Sequence, residues 1–118
     1  MRLDEIVRIL NAELIVGHDM QELEITGGFG SDLLSDMLNR ATDGVLLLTG
    51  LTNIQVIRSA VISSVTAIAF VRGKVPNEEI IRQAGKHALP LMVTPLTMFT
   101  ACGRLYAGGL RGIEAKKQ

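Results

Sequence analysis

Residues Thr26 to Met37 read TGGFGSDLLSDM: three glycines lead into a serine, two aspartates and an amphipathic segment. Glycine-rich turns that feed a helix N-terminus often hold phosphates. Their backbone amides can approach an anion closely, and the helix dipole favours negative charge. Gly27, Gly28, Gly30 and Ser31 are the residues such a turn would use. Asp32, read as the first helical residue, puts a carboxylate where it satisfies that dipole itself. At ~4 Å and an effective dielectric of about 20 it would repel a bare phosphate by roughly 4 kcal/mol. Asp32 then suits a ribose hydroxyl or a base donor, or simply belongs to a capped helix after a tight turn. Asp32 and Asp36 share a helix face at this spacing. Two carboxylates are too few for a Mg²⁺ or Ca²⁺ site, and a solvated or salt-bridged face is the plainer reading.

Three further segments carry polar groups that could bind rather than fold. Thr49, Thr52 and Asn53 flank a helix start and offer hydroxyls and an amide, with capping as the plainer use. Arg72 and Lys74 supply two cations in a turn after an apolar run. The loop from Thr94 to Thr97 adds hydroxyls. His18 and His87 lie far apart and fit no nucleophile or zinc spacing. His87 reads as a residue complementing a helix C-terminus. Cys102 reads as a structural thiol on the apolar side of the last helix.

Hydrophobic periodicity supplies the elements that would position these residues. Leu3, Ile6, Val7 and Leu10 predict a first helix. ELIVG is a short strand ending at Gly17. ELEIT alternates and predicts a half-exposed strand, antiparallel at an edge. Ser31 is the expected cap of a helix carrying Leu33, Leu34, Met37, Leu38 and Ala41. GVLLLTG, TAIAFVRG and LPLMVT are apolar runs that suit strands buried on both faces. Helices alternate with them: one over 53–65, one after Pro76 with Asn77 as cap, and one over PLTMFTACGRLYAGGL, beginning after Thr94, that Gly103 interrupts. This order predicts right-handed βαβ units and a mostly parallel sheet covered on both faces. The turns after the strands would gather at one edge of that sheet, where ligands favour binding.

Helix 53–65 carries a second stripe of Val56, Ala60 and Ser63. Either the N-terminal helix covers it, or it meets another copy of the chain in a homodimer.

Composition narrows the class. The chain has 118 residues, 47% apolar and 20% charged, enough for one domain with a substantial core. Twelve basic residues balance twelve acidic ones and aromatics are 3%. Neither a nucleic-acid footprint nor attraction to anionic membranes is expected. A single cysteine excludes an internal disulfide and suits a reducing, cytoplasmic setting. The N-terminal helix has acids within its apolar pattern, unlike a signal peptide.

The order FVRGKVPNEEIIRQAGKHALPLMVTPLTMFTACGRL, preceded by GGFGSDLLSDML and GVLLLTG, resembles the DRTGG domain and the related N-terminal domain of HPr kinase/phosphorylase. Thr26-Gly27-Gly28 keeps the TGG of the naming motif, without a contiguous Asp-Arg before it. The resemblance implies a three-layer α/β/α sandwich and a non-catalytic regulatory or ligand-sensing module, often fused to other modules. No kinase chemistry comes with it, because the chain has no G-x-x-x-x-G-K-[ST] loop. Residues 1–112 are expected to form the domain and 113–118 a flexible tail. The expected ligand is a nucleotide or small phosphorylated molecule. The expected partners are a second copy of the chain and an enzyme under its control. A ligand-free interaction and dimerisation module is the alternative. The sequence specifies no cofactor.

Overall fold

The computed structural model describes residues 1–40 and 43–114. Ten elements follow in order: α1 (Leu3–Ile9), β1 (Glu13–Val16), β2 (Gly27–Gly30), α2 (Leu34–Arg40), β3 (Val45–Thr49), α3 (Ile54–Ile62), β4 (Ala67–Phe70), α4 (Glu78–Lys86), β5 (Leu91–Val93) and α5 (Met98–Ala107). The strands form one sheet in the order β1-β5-β4-β3-β2. Strands β2 to β5 are parallel, and β1 runs antiparallel along β5.

The apolar runs are divided between the two faces by the strand period of two. Val45 and Leu47 of β3 join Ile68 and Phe70 of β4 in a core with Met37, Val56, Ile57, Ala60 and Ile80. Leu46 and Leu48 join Ala67, Ala69 and Met92 in a second core with Leu3, Ile6, Leu10, Ala101 and Leu105. Helices α2, α3 and α4 therefore cover one face, and α1 and α5 the other. The chain is a three-layer α/β/α sandwich.

That division follows from the strand order. From β2 to β5 each crossover moves one strand in the same direction. Right-handed crossovers then put all three connecting helices on one side. The opposite face would lie bare without the terminal helices. The Thr94 hydroxyl, fully buried just after β5, ties α1 to the sheet by donating to the Leu10 carbonyl at 2.6 Å. It also accepts from the Leu96 amide at 3.2 Å.

Several sequence expectations change. ELEIT is not a strand: only Glu24 makes an isolated bridge, to Arg2, and the antiparallel edge is β1 instead. The glycines expected to form a turn are β2 itself. Gly103 does not interrupt α5, since an exposed helical glycine costs little when the flanking turns are packed. The Val56 and Ala60 stripe is buried by this chain's own elements, with α2 packing beside α3, while α1 lies on the opposite face. Ala41, expected within α2, lies outside the described residues. Gly112, the last residue of the expected domain, bridges to Gly28; of the expected tail, Ile113 packs near Gly27, while residues 115–118 lie outside the described residues. No helix among the described residues is long and apolar enough to cross a membrane.

Thr94→Val keeps the shape and removes both hydroxyl bonds, so the buried Leu10 carbonyl loses its donor. Urea unfolding should show a loss of roughly 1–3 kcal/mol.

Candidate functional site

Because β2 to β5 are parallel, the turns that follow them open on the same edge of the sheet. The β2 turn begins at Ser31, whose amide still bonds the Leu48 carbonyl at 3.0 Å. The Ser31 hydroxyl accepts from the Leu33 amide at 3.0 Å, bending the chain rather than capping the helix. Helix α2 starts only at Leu34, so Asp36 is the acid of its first turn and Asp32 precedes it. Ser31 donates to Asp36 at 3.4 Å.

Asp32 turns away from its own helix toward the next strand. Its Oδ1 accepts from the Gly50 amide at 2.7 Å and from the Thr49 hydroxyl at 2.9 Å. The same Thr49 oxygen accepts from the Leu51 amide at 3.2 Å. The amides an anion would use in the β3 turn are thus already occupied by an internal carboxylate and its hydroxyl relay. Asn53 caps α3 by accepting from the Val56 amide at 3.3 Å. Thr52 lies half-buried beside it.

The β4 turn brings the cations. Arg72 has φ of 57° and Gly73 of 66°, with the Lys74 amide bonded to the Val71 carbonyl at 3.2 Å. Two successive positive φ values make a type I′-like turn. A left-handed arginine is uncommon and costs about 1 kcal/mol or more. The guanidinium lies over Gly50, where an added Cβ would collide with it. Among the described residues no carboxylate pairs with Arg72 or with the exposed Lys74.

Helix α4 leaves toward one face and α5 toward the other, so the β4 and β5 turns diverge. A ligand crevice belongs where connections split in this way. Here two backbone bonds close it: Arg72 N–H to the Leu96 carbonyl and Gly73 N–H to the Thr94 carbonyl, both 2.8 Å. The polar groups without a recorded partner among the described residues are the guanidinium of Arg72, which lies over Gly50, the second carboxylate oxygen of Asp32 and, two residues after Arg72, the exposed Lys74.

Of the residues expected at the site, Ser31, Asp32, Thr49 and Arg72 converge around Gly50. Asn53 and Thr52 flank them on the same turn, and Lys74 follows Arg72. Gly30 ends β2 beside them. Gly27 and Gly28 are not part of this group. Gly27 pairs with Val45 at the other end of the strand, and Gly28 lies mid-strand. Their missing side chains make room for packing, since a Cβ would press on Ile113 at Gly27 and on Leu110 at Gly28. Phe29 points into the core and does not plug the edge. Gly50 was legible only as a strand terminator, because its service to a guanidinium from the next turn is a long-range contact. His87 ends α4 as its C-cap. Cys102 is half-buried, and burial pushes its thiol pKa up, as for an inert structural cysteine. No group of three or more metal-ligating side chains is gathered among the described residues.

A family profile described as the DRTGG domain matches residues 5–107. The chain belongs to the DRTGG domain family. A search of solved structures finds the crystal structure of the CBS and DRTGG domains of the regulatory region of Clostridium perfringens pyrophosphatase, complexed with its activator diadenosine tetraphosphate. The TM-score is 0.71 at 19% identity, and the match covers 88% of this chain and 45% of that one. The likeness establishes the fold, and this DRTGG domain spans less than half the length of that neighbour. No curated protein matches the chain.

Asp32→Ala should cost roughly 1–3 kcal/mol, because it strips the Gly50 amide and Thr49 hydroxyl of their acceptor. Added formate should recover part of the loss in a thermal melt. Gly50→Ala should leave stability within about 1 kcal/mol, since the group it displaces is the end of a flexible side chain. The Arg72 guanidinium resonances in NMR should shift.

Proposed function

We propose that this DRTGG domain is a non-catalytic regulatory module that senses a nucleotide or small phosphorylated ligand at the edge formed by the β2, β3 and β4 turns. Arg72 carries the reading. Its backbone is held in a costly left-handed turn and its guanidinium is laid over Gly50 with no carboxylate partner among the described residues. Backbone strain retained at one exposed charged residue is a pattern associated with functional sites. Guanidinium groups bind phosphate oxygens through paired hydrogen bonds.

In this reading the phosphate meets Arg72, with Lys74 adding charge. The free oxygen of Asp32 accepts from a ribose hydroxyl or a base amino group. Asp32 also keeps a bare phosphate out of the β3 turn by occupying its amides. The ligand is therefore a phosphorylated molecule with hydrogen-bond donors, as nucleotides are. The dinucleotide activator of the structural neighbour supports that class. The partner enzyme would be another domain or chain whose activity the occupied edge adjusts.

The test is a melting series with adenine mononucleotides, diadenosine tetraphosphate and inorganic phosphate. A nucleotide at one hundred times its dissociation constant should add about 2.7 kcal/mol. Inorganic phosphate should add far less. Arg72→Gly suits the left-handed turn and should fold at least as well as the native chain, but lose the nucleotide response. A flat panel, or a response that survives Arg72→Gly, would overturn the proposal.

A further inference from the structure

Helix α5 shows one face to the protein and another to solvent. Ala101 and Leu105 are buried against the sheet. Phe99, Gly103 and Tyr106 follow at helical spacing on the other side, with half-buried Cys102 at the border beside β2. Phe99 is 90% exposed and Tyr106 61%. Nothing lies within 4 Å of where a Gly103 side chain would begin. The charge on this helix is turned elsewhere: Arg104 reaches toward the Ile9 carbonyl at 3.5 Å. Arg111 stacks on Tyr106, 4.1 Å from the ring centre.

Beside this face, between α5 and the outer strand β2, is a mainly apolar cavity of about 150 Å³. Gly30, Leu48, Cys102, Leu105, Tyr106 and Leu110 line it. A dry cavity of about that size holds a benzene ring. The same helix thus carries an exposed phenyl group and a vacancy of phenyl size.

We infer that the α5 face pairs with a second copy of this chain about a two-fold axis, Phe99 of each protomer entering the cavity of the other. Two antiparallel α5 helices centred between Cys102 and Gly103 bring Phe99 opposite the partner's Tyr106, two helical turns or about 10 Å along. Gly103 lies at the crossing, where a small residue lets the backbones approach. A two-fold contact uses the same patch twice, so one phenyl group and one cavity per chain suffice.

The aromatic pair supplies roughly a third of the area of a standard interface. Aromatic side chains bury about 150–250 Å² each. With the exposures above, Phe99 and Tyr106 contribute roughly 300 Å² per protomer, against about 800 Å² per partner in a standard interface. The flanking α5 residues and the β2 edge surround them. On α3, by contrast, Val56 and Ala60 are covered within the chain, and the apolar residues left exposed are Val61 at 37% and Ile62 at 74%.

Sedimentation equilibrium on the whole chain tests this across the micromolar range. The native protein should be a dimer that dissociates on dilution. Phe99→Glu should be monomeric with unchanged circular dichroism, because its side chain supports nothing within the chain. Ile62→Glu should remain dimeric. Tyr106 is the only tyrosine and there is no tryptophan. Its emission should therefore change with concentration in the native protein and stay constant in Phe99→Glu. A native chain that is monomeric throughout, a dimer that survives Phe99→Glu, or dissociation by Ile62→Glu in its place would each overturn the inference. None of these outcomes depends on nucleotide binding.

Discussion

Four parallel strands wound in one direction impose the constraint from which the molecule follows. Each right-handed crossover returns its helix to the same side, so α2, α3 and α4 are committed to one face by connectivity. Strands such as Val45–Thr49 are apolar on both faces and cannot leave the other one wet. The two ends of the chain, α1 and α5, must supply that layer. The buried Thr94 hydroxyl joins the two events, since it leaves the sheet at β5 and holds the end of α1.

The same winding shapes the binding edge. Three turns leave toward one face and the β5 turn toward the other, which sets a crevice between β4 and β5. Backbone bonds from Arg72 and Gly73 close it. Polar opportunity moves one strand over, to the turn after β3. There an aspartate holds the amides, and an arginine from the following turn lies across the glycine. Asp32 thus has a structural role toward the chain and leaves its second oxygen without a partner among the described residues. Arg72 is held by its backbone and by shape, with its charge uncommitted among the described residues.

Glycines do two jobs in this domain, and sequence pattern alone does not separate them. Gly27, Gly28 and Gly30 look like a phosphate turn, yet they form an edge strand on which α5 and the C-terminal segment sit close. A Cβ at Gly30 would meet Cys102 and Met98 at 3.3 Å. Gly73 supplies a positive φ, which is the conformational use that the pattern led one to expect further upstream.

The strands and helices from Gly44 to Gly108 were legible in the sequence because periodicity and caps are local. Long apolar runs between glycines, Asn53 and Asn77 before their helices, and glycines after α5 act within a turn or two of where they stand. Their alternation also determined the parallel sheet and the gathering of turns at one edge, and the ordered motifs identified the family. Only the tertiary structure decided that GGFG is a strand, that ELEIT is not, and which polar groups at the edge remain open. Those outcomes depend on contacts between residues far apart in the chain: Leu110 and Ile113 against β2, Asp32 with Thr49 and Gly50, Arg72 over Gly50. No local preference of a glycine or an aspartate encodes which distant partner will occupy it.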